Sequence, residues 1–369
     1  MDNWFCSLES MVIIKEFWHG KRVLITGHTG FKGGWLSLWL QSMGAHVSGY
    51  SLPAPIRPNL FEVGRVAAGM RSHLGDVRDL SGLITALKED QPEVVFHLAA
   101  QPLVRYSYRE PVETYATNVM GTVNLLEAAR QTPTIRAVVI VTSDKCYENH
   151  EWVWGYRETD ALGGRDPYSN SKGCAELVAA AYRSSFFSPS EYSKHRVAVA
   201  TARAGNVIGG GDWAEDRLVP DIVRAFSGRQ PVVIRNPTAV RPWQHVLEPL
   251  AGYVALAEKL VTQGPVWGEA WNFGPAESET KPVQWIVERM CETWGPGAAW
   301  EIDPKAHPHE AHSLRLDIAK AEFRLGWRPR WNLETGLRKT VEWYQAYQNG
   351  SDMRTVTQAQ IDDYMATTT

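Results

Sequence analysis

A buried strand that runs directly into a glycine-rich turn and then a helix constrains the fold more than any other feature of this chain. Residues 22–26, Arg-Val-Leu-Ile-Thr, are typical of a buried parallel strand. Gly27, Gly30 and Gly33 follow with the spacing Gly-x-x-Gly-x-x-Gly and lead into a helical stretch at 35–40. Glycine permits a tight turn and lets the backbone approach a pyrophosphate, whose charge then lies at the helix N terminus. The segment therefore predicts a dinucleotide-binding unit, with a variant of the spacing Gly-x-Gly-x-x-Gly.

Strands and helical stretches alternate from this turn to about residue 203. Apolar strands are predicted at 46–50, 93–100, 137–141 and 196–200, with a helix at 118–130. This alternation indicates an α/β fold with a doubly wound parallel Rossmann sheet, whose ligands lie at the carboxyl ends of the strands. The strand that follows the glycine turn also makes a plain connecting loop the weaker interpretation of that turn.

The alternation weakens after residue 203, where we expect a smaller C-terminal α/β substrate lobe to begin. Residues 206–213 read as a glycine-rich loop rather than as a strand-to-helix turn. With 369 residues and 44% apolar composition, the chain can bury one large core and a smaller lobe. The predicted division is a dinucleotide-binding domain at 17–203 to which 240–265 returns, a substrate-binding lobe at 204–239 and 266–350, and terminal extensions at 1–16 and 351–369.

Four side chains suited to redox chemistry on an alcohol are predicted to share one pocket. Ser143 and Asp144 follow the strand at 137–141, and Tyr168 and Lys172 stand one helical turn apart further on. A Tyr–Lys pair at this spacing is usually a surface pair, but its place behind a dinucleotide turn favours catalysis. A phenol titrates near ~10, and an ammonium and a cationic nicotinamide nearby would both favour phenolate. Lowering its pKa toward ~7 requires about 4 kcal/mol, which two close positive charges can supply.

The prediction of NAD rather than NADP as cofactor depends on the end of the second strand. A ribose-binding acid is expected there, but the chain has Ser51, and the first aspartate of the region is Asp76. No arginine stands at the strand end to bind a 2′-phosphate, since Arg57 comes six residues later. We therefore predict NAD. The predicted cofactor contacts are Gly27, Thr29, Gly30, Phe31, Lys32, Gly33, Asp76, Val77, Leu98, Ala99, Ala100, Asn118, Tyr168 and Lys172.

Composition and charge argue against several other classes of function. The net charge of -3 gives no electrostatic case for a nucleic acid or an anionic membrane as partner. The four cysteines show neither metal-site nor disulfide spacing, so no metal is predicted. The chain has no apolar run of ~18 residues, and residues 1–16 are too rich in charge for a signal peptide. The cytoplasm is the expected location.

Six segments of the chain resemble the extended short-chain dehydrogenase/reductases that modify nucleotide sugars, and within them the CDP-sugar branch of the 4,6-dehydratases. The resemblance lies between Phe17 and Tyr347. Related dTDP-sugar enzymes carry Thr-Asp-Glu where this chain has Ser143, Asp144 and Lys145. An amine thus replaces the carboxylate generally assigned as the base at C5. The segments are 27–33, 97–102, 142–147, 168–172, 209–213 and 241–246.

The resemblance implies conversion of CDP-glucose to CDP-4-keto-6-deoxyglucose and water, a step of deoxysugar biosynthesis in which NAD is reduced and reoxidised. Tyr168 would take the C4 hydroxyl proton, with Lys172 holding it anionic and Ser143 bonding the same oxygen. A C4 ketone makes the C5 hydrogen acidic, so an acid, Asp144, and a base could then eliminate the C6 hydroxyl. Lys145 is the candidate base, but a lysine titrates near ~10.4 and needs a lowered pKa, so Tyr168 or a water also stays open. The implied substrate contacts are Gln101, Asn206, Arg217, Arg241 and His245, in a homodimer or homotetramer.

Two other functions stay open from the sequence. A 4-epimerase uses the same tyrosine and nicotinamide without elimination, so an inert Asp144–Lys145 pair would favour it. A non-catalytic nucleotide-sensing module would be expected to lose Tyr168 or Lys172, and this chain keeps both. The run of arginines between 217 and 241 is either a solvated face or a set of phosphate ligands.

Overall fold

The fold is organised around a seven-stranded parallel sheet, seen in a computed structural model that describes residues 13–303 and 314–367. The strands of this sheet and of three smaller ones are β1 (Arg22–Thr26), β2 (His46–Ser51), β3 (Arg71–Leu74), β4 (Val94–His97), β5 (Ala137–Val141), β6 (Ala198–Ala204), β7 (Asn206–Ile208), β8 (Val232–Ile234), β9 (Val240–Arg241), β10 (Trp243–His245), β11 (Ala270–Phe273), β12 (Lys281–Pro282) and β13 (Trp300–Ile302).

The strand order of the large sheet is β11-β6-β5-β4-β1-β2-β3, and each neighbouring pair is parallel. The chain builds outward from β1 to β3 on one side, then crosses over and builds from β4 to β6 on the other. Ligands of such sheets lie in the crevice at this reversal, beyond the carboxyl ends of the strands. The predicted fold class, an α/β protein with a doubly wound parallel Rossmann sheet, is confirmed.

Helices cover both faces of the sheet because its strands are apolar on both sides. In β1, Val23 and Ile25 belong to the core on one face, with the helices at Phe31–Ser42 and Leu247–Gln263. Leu24 belongs to the core on the other face, with the helices at Leu80–Asp90 and Gly121–Arg130. The helices are α1 (Lys15–Trp18), α2 (Phe31–Ser42), α3 (Leu60–Val63), α4 (Leu80–Asp90), α5 (Val104–Arg109), α6 (Pro111–Tyr115), α7 (Gly121–Arg130), α8 (Pro167–Ser185), α9 (Tyr192–His195), α10 (Leu218–Ser227), α11 (Leu247–Gln263), α12 (Val283–Trp294), α13 (Leu333–Gln348) and α14 (Met353–Ala366).

Three strands illustrate where the structure differs from the sequence predictions. The edge strand β3 was not predicted, because its residues are polar or exposed and show no apolar alternation. The strand β7 forms inside 206–213, a segment predicted entirely as loop, and pairs in parallel with β10. The strand β11 joins the central sheet beside β6, although the predicted division places 266–350 in the lobe. β11 begins 66 residues after β6 ends, and local periodicity does not record so distant a partner.

The C-terminal residues predicted as an extension contribute a packed helix. Helix α14 contacts α2 and α13, and its Tyr364 is fully buried and donates a hydrogen bond to Glu248 Oε2 at 2.7 Å. Of the predicted N-terminal extension, residues 1–12, which include Cys6, lie outside the described residues. None of the helices within 13–303 and 314–367 combines the length and apolar character needed to cross a bilayer.

Candidate active site

The glycine-rich turn between β1 and α2 forms a narrow cradle. Gly27 has a φ of 78°, and a Cβ there would lie 2.7 Å from the backbone nitrogen of Ala99. A Cβ on Gly33 would lie 2.1 Å from the carbonyl oxygen of Gly27. Gly30 is the N-cap of α2, and no side chain among the described residues caps that helix end. The backbone N–H groups of the first turn are therefore available to an anion, as a dinucleotide diphosphate requires.

The ends of β2 and β3 hold the polar groups predicted at the ribose end of the cofactor. Thr29 Oγ1 lies 2.8 Å from Ser51 Oγ and donates to the carbonyl of Leu52 at 2.9 Å. Asp76 accepts hydrogen bonds from the backbone N–H of Arg78 at 2.9 Å and from its Nε at 2.8 Å. The Arg78 hydrogen bond holds the pKa of Asp76 below its usual value. The neighbouring Val77 is buried in the core beneath α7.

The segment after β4, which contains the predicted contacts Leu98, Ala99 and Ala100, is joined to the start of α8 through Asn118. The Asn118 amide accepts a hydrogen bond from the Gln101 backbone N–H at 2.8 Å and donates to its carbonyl at 3.1 Å. It also donates to Ser171 Oγ at 2.8 Å. Asn118 thereby fixes the distance between the β4 end and the helix that carries Tyr168 and Lys172.

The Gln101 side chain, predicted to contact sugar hydroxyls, is engaged within the protein. Its Nε2 donates to Thr114 Oγ1 at 2.8 Å, and its Oε1 accepts from the Leu103 backbone N–H at 2.6 Å. These bonds shape the loop after β4. The contact between Gln101 and the sugar stays a prediction.

The end of β5 presents Ser143, Asp144 and Lys145 on a single 3-10 turn. Ser143 Oγ accepts a hydrogen bond from the Lys145 backbone N–H at 3.3 Å and donates to Asp144 Oδ1 at 3.0 Å. Asp144 is 1% exposed, and its Oδ2 has no hydrogen-bond partner among the described residues. Burial raises the pKa of Asp144, although Lys145 and Ser143 oppose the shift. A carboxyl group with a raised pKa is suited to act as a general acid near neutral pH.

Tyr168 and Lys172 face this turn from α8, and both are buried. Burial raises the pKa of Tyr168 to about 12, against a hydrogen bond from Ser143 and the charge of Arg217 that both lower it. Without the nicotinamide charge on which the prediction of a pKa near 7 depends, the cost of burying a phenolate exceeds the help from the cations present. Lys172 Nζ donates to the Val141 carbonyl at 3.3 Å, and burial lowers the pKa of Lys172 to about 8. The phenol is therefore protonated at neutral pH without a further positive charge.

Positive groups outnumber carboxylates around these residues. Burial and the charges of Arg217 and Lys172 lower the pKa of Lys32 to about 7. The charge of Arg241 opposes the rise in the pKa of Asp144. Arg217 Nη1 donates to Asp212 Oδ2 at 2.7 Å. Guanidinium and ammonium groups in a dry crevice are well matched to diphosphate oxygens. Of the arginines between 217 and 241, Arg217 and Arg241 thus lie near the site. Arg224 instead forms an ion pair with a half-exposed carboxylate on its own helix, and the guanidinium of Arg235 lies 4.0 Å from the carboxylate of Asp216.

Two predicted substrate contacts lie on the small β7–β10 sheet. Asn206 is half-buried and opposes Trp243 in the register. His245 is buried between the rings of Trp35 and Trp331, whose centroids lie 5.8 and 5.0 Å from that of the imidazole. Burial lowers the pKa of His245 to about 3, so the ring is neutral. This position gives His245 a packing role and lends no support to its predicted contact with substrate.

The sequence predictions missed a buried ion pair next to the turn of Ser143, Asp144 and Lys145. Glu176 lies one helical turn after Lys172 on α8, and Arg203 lies near the end of β6. Arg203 Nη2 and Glu176 Oε2 are 2.9 Å apart, and both side chains are almost completely buried. An arginine inside the apolar run 198–204 was the signal in the sequence, since a charge in a central strand requires a buried partner.

The fold and this arrangement of residues define an extended short-chain dehydrogenase/reductase, as the sequence predicted. Within that class, the chain belongs to the nucleotide-sugar family whose model is described as GDP-mannose 4,6 dehydratase and matches residues 24–340.

Three known proteins illustrate the similarity. The CDP-glucose 4,6-dehydratase of Salmonella typhimurium is 58% identical over 97% of this chain and 100% of its own length. The solved structure of MoeE5 in complex with UDP-glucose and NAD is 27% identical, with a TM-score of 0.73 over 89% of this chain and 100% of that one. The UDP-glucose 4-epimerase of Thermotoga maritima, at 22% identity and a TM-score of 0.75 over 88% and 99% of the two chains, shares the fold.

Proposed function

We propose that this protein is a CDP-glucose 4,6-dehydratase, which converts CDP-D-glucose to CDP-4-keto-6-deoxy-D-glucose and water. The observation that carries the proposal is the turn of Ser143, Asp144 and Lys145, which faces Tyr168. In this turn the carboxyl group of Asp144 is buried, and one of its oxygens has no hydrogen-bond partner among the described residues. A relative with 58% identity over nearly the full chain carries the name of this activity.

NAD is the cofactor of the reaction; when bound, it would supply the hydride chemistry needed at C4 and C6 of the glucose. The glycine turn is suited to it, because a side chain at Gly27 or Gly33 would collide with backbone atoms and force the tight turn open. The uncapped N terminus of α2 supplies N–H groups for its diphosphate. A cavity of about 390 Å³ lined by Tyr50, Asp76 and Asp79 lies where the ends of β2 and β3 would meet an adenosine.

Tyr168 and Ser143 are assigned to the oxidation of C4. Tyr168 takes the hydroxyl proton while Ser143 donates a hydrogen bond to the same oxygen, and the Ser143 hydroxyl favours the ionised phenol by lowering the pKa of Tyr168. Lys172 lies one turn from Tyr168, and its charge favours the anionic phenol at the moment of proton transfer. Because the phenol is protonated in the protein alone, ionisation of Tyr168 is expected to depend on the positive charge of the oxidised nicotinamide.

Asp144 and Lys145 are assigned to the elimination of water. Asp144 is buried and has a raised pKa, so it can hold a proton for the departing C6 hydroxyl. Lys145 Nζ lies 6.0 Å from the centre of the Tyr168 ring, and this proximity supports a role for the amine in the reaction. We assign it as the base that removes the C5 proton. A 4-epimerase does not eliminate water and therefore needs neither Asp144 nor Lys145. The position of this pair beside Tyr168 thus favours a dehydratase.

Substrate recognition is assigned to the cationic side of the site. Arg217 and Arg241 would bind the diphosphate and cytidine, together with Asn206. Arg217 is held by Asp212 at 2.7 Å, which fixes the direction of its guanidinium. A homodimer or homotetramer and a cytoplasmic location complete the proposal on the basis of the sequence.

A panel of nucleotide sugars tests the proposed function. The protein is incubated with NAD and with CDP-, dTDP-, UDP- or GDP-linked glucose, and the ultraviolet absorbance that 4-keto-6-deoxy sugars develop in alkali is measured. We expect absorbance with CDP-glucose in preference to the others. A galactose-configured product without absorbance would make the protein a 4-epimerase, and cofactor binding without turnover of any sugar would make it a sensing module.

A further inference from the structure

A network of buried hydrogen bonds surrounds the carboxylate of Glu176. Arg203 donates to Oε1 through Nε at 3.0 Å and to Oε2 through Nη2 at 2.9 Å. The hydroxyl of Thr142 donates to Oε1 at 2.5 Å, and that of Thr201 donates to Oε2 at 2.7 Å. Burial alone would raise the pKa of Glu176, but Arg203 and the hydroxyls hold it below its usual value. The carboxylate is therefore ionised, and each of its two oxygens accepts two hydrogen bonds.

The same network reaches the far end of the catalytic turn. Arg203 Nη1 donates to the hydroxyl of Tyr147 at 2.7 Å, and that hydroxyl donates to Asn272 Oδ1 on β11 at 2.7 Å. The Arg203 guanidinium also lies over the Tyr147 ring, 4.8 Å from its centre. Thr142 immediately precedes Ser143, and Tyr147 follows two residues after Lys145. The segment that contains all three predicted catalytic residues of the turn is thus held at both flanks by one ion pair.

The helix that carries Glu176 also carries the other half of the site. Tyr168, Lys172 and Glu176 occupy successive turns of α8 at i, i+4 and i+8, so they lie along one face of the helix. A bond from Thr142 to Glu176 therefore joins the β5 turn to the α8 face and sets the separation of the two catalytic groups. A displacement of about 1 Å between reacting groups can lower a rate by about a hundredfold, so such a tether has consequences for chemistry.

We propose that Glu176, oriented by Arg203, is a positioning residue that holds the Ser143–Lys145 turn against Tyr168 through its hydrogen bond with Thr142. The inference rests on the proposed function for the reaction that the turn performs. Glu176 touches neither substrate nor cofactor, and it acts through Thr142. A purely structural ion pair would instead stabilise the sheet and leave the turn unaffected.

Two matched variants separate these roles, because each removes one hydroxyl that donates to Glu176 from a buried position. Thr142→Val removes the bond at the catalytic turn, whereas Thr201→Val removes the bond to β6. The first variant is expected to lower kcat for CDP-glucose by about tenfold or more with KM nearly unchanged, and the second to stay within about twofold of the parent. Thr142→Ser, which keeps the hydroxyl, is expected to restore most of the rate.

Hydrogen exchange measured by mass spectrometry gives a readout that does not depend on activity. In Thr142→Val, the peptide containing residues 143–147 should exchange faster than in the parent, while the peptide containing 198–204 should not. In Thr201→Val, the 143–147 peptide should exchange at the parent rate. Equal losses of kcat in the two valine variants, or unchanged exchange at 143–147 in Thr142→Val, would overturn the proposal. Failure of the parent protein to turn over CDP-glucose would instead overturn the proposed function and leave the exchange result interpretable.

Discussion

The hydroxyl of Ser143 donates to one carboxylate oxygen of Asp144 at 3.0 Å, while the second oxygen is buried with no hydrogen-bond partner among the residues that the structure describes. A buried carboxyl with one satisfied and one free oxygen is costly when ionised and retains its proton more readily. The relationship supports the proposed role of Asp144 as the acid that gives a proton to the C6 hydroxyl.

The Asp144→Asn variant tests this assignment, because the amide keeps the shape of the side chain and has no proton to transfer. Oxidation at C4 should survive while dehydration slows by about a hundredfold or more. Stopped-flow absorbance should then show reduced cofactor that persists on the enzyme, and quenched samples should contain a 4-keto-glucose nucleotide. Full activity of this variant would place the acid elsewhere.

The Tyr168→Phe variant keeps the ring and removes the phenol. Because Tyr168 is assigned to take the C4 hydroxyl proton, hydride transfer should fall by about a hundredfold or more while cofactor binding is retained. Tyr115→Phe is a matched control, since it removes a hydroxyl that donates to Asn170 on the same helix at 2.9 Å. The control should keep parent turnover. Near-normal hydride transfer in Tyr168→Phe would contradict the assignment.

The central fold was predictable because its signals are local. The glycine turn and the apolar strands β1, β2, β4 and β5, all within the first 141 residues, predict a doubly wound sheet. The two edge strands were not predictable: β3 is polar, and the four residues of β11 follow a long excursion through the lobe. Their pairing is decided by neighbours in space, and periodicity in the sequence does not record those neighbours.

The candidate site was predictable only where residues that act together are also close in sequence. The Tyr168–Lys172 spacing and the strand-end position of Asp144 were visible, and the structure brings these residues together. Glu176 and Arg203 lie 27 residues apart on two different elements, so their pairing becomes apparent only after folding. The raised pKa of Tyr168 was also unpredictable, because it results from burial, which the Tyr–Lys spacing does not indicate.

Gly33→Ala tests the cradle that binds the dinucleotide. The new Cβ would lie 2.1 Å from the Gly27 carbonyl oxygen, so the turn must open. We expect an affinity for NAD at least about tenfold weaker and a loss of stability of roughly 1–3 kcal/mol, measured by calorimetry and by denaturation. Gly228→Ala, where the nearest atom would be 3.4 Å away, should leave both unchanged. Parent affinity in Gly33→Ala would rule out this turn as the diphosphate site.

Glu258 should make the stability of the protein depend on pH. Its Oε1 accepts hydrogen bonds from Trp18 Nε1 at 2.6 Å and from the Ile14 backbone N–H at 3.2 Å, and burial raises the pKa of Glu258 to about 7. The unfolded chain loses this proton near pH 4.5, so the stability that Glu258 contributes is fully present below that value and is lost as the pH rises through about 7.

Glu258→Gln keeps an acceptor at Oε1 and removes the titration. Urea denaturation between pH 5 and pH 8 should show a smaller decline of the unfolding free energy in this variant than in the parent. The difference across the window should be on the order of 1–3 kcal/mol. Glu301→Gln, at an exposed position, should follow the parent curve. Identical slopes for parent and Glu258→Gln would show that this carboxyl does not titrate with folding.

The assignment of Lys145 as the C5 base can be separated from an electrostatic role by two substitutions. Lys145→Met retains the aliphatic stem and removes the amine, so exchange of the C5 proton with deuterated water should fall together with product formation, while C4 oxidation persists. If Lys145 were only one half of a surface ion pair, that pair would contribute about 0–1 kcal/mol to stability, and its loss in Lys145→Met would leave the chemistry intact.

Lys145→Arg keeps the positive charge 6.0 Å from the Tyr168 ring but supplies a guanidinium that does not give up its proton near neutral pH. If Lys145 acts as the base, the arginine variant should be as impaired in C5 exchange as the methionine variant, by about a hundredfold or more. If the amine serves only as a charge beside Asp144, arginine should restore exchange. C5 exchange at the parent rate in Lys145→Met would transfer the role of base to Tyr168 or to a bound water.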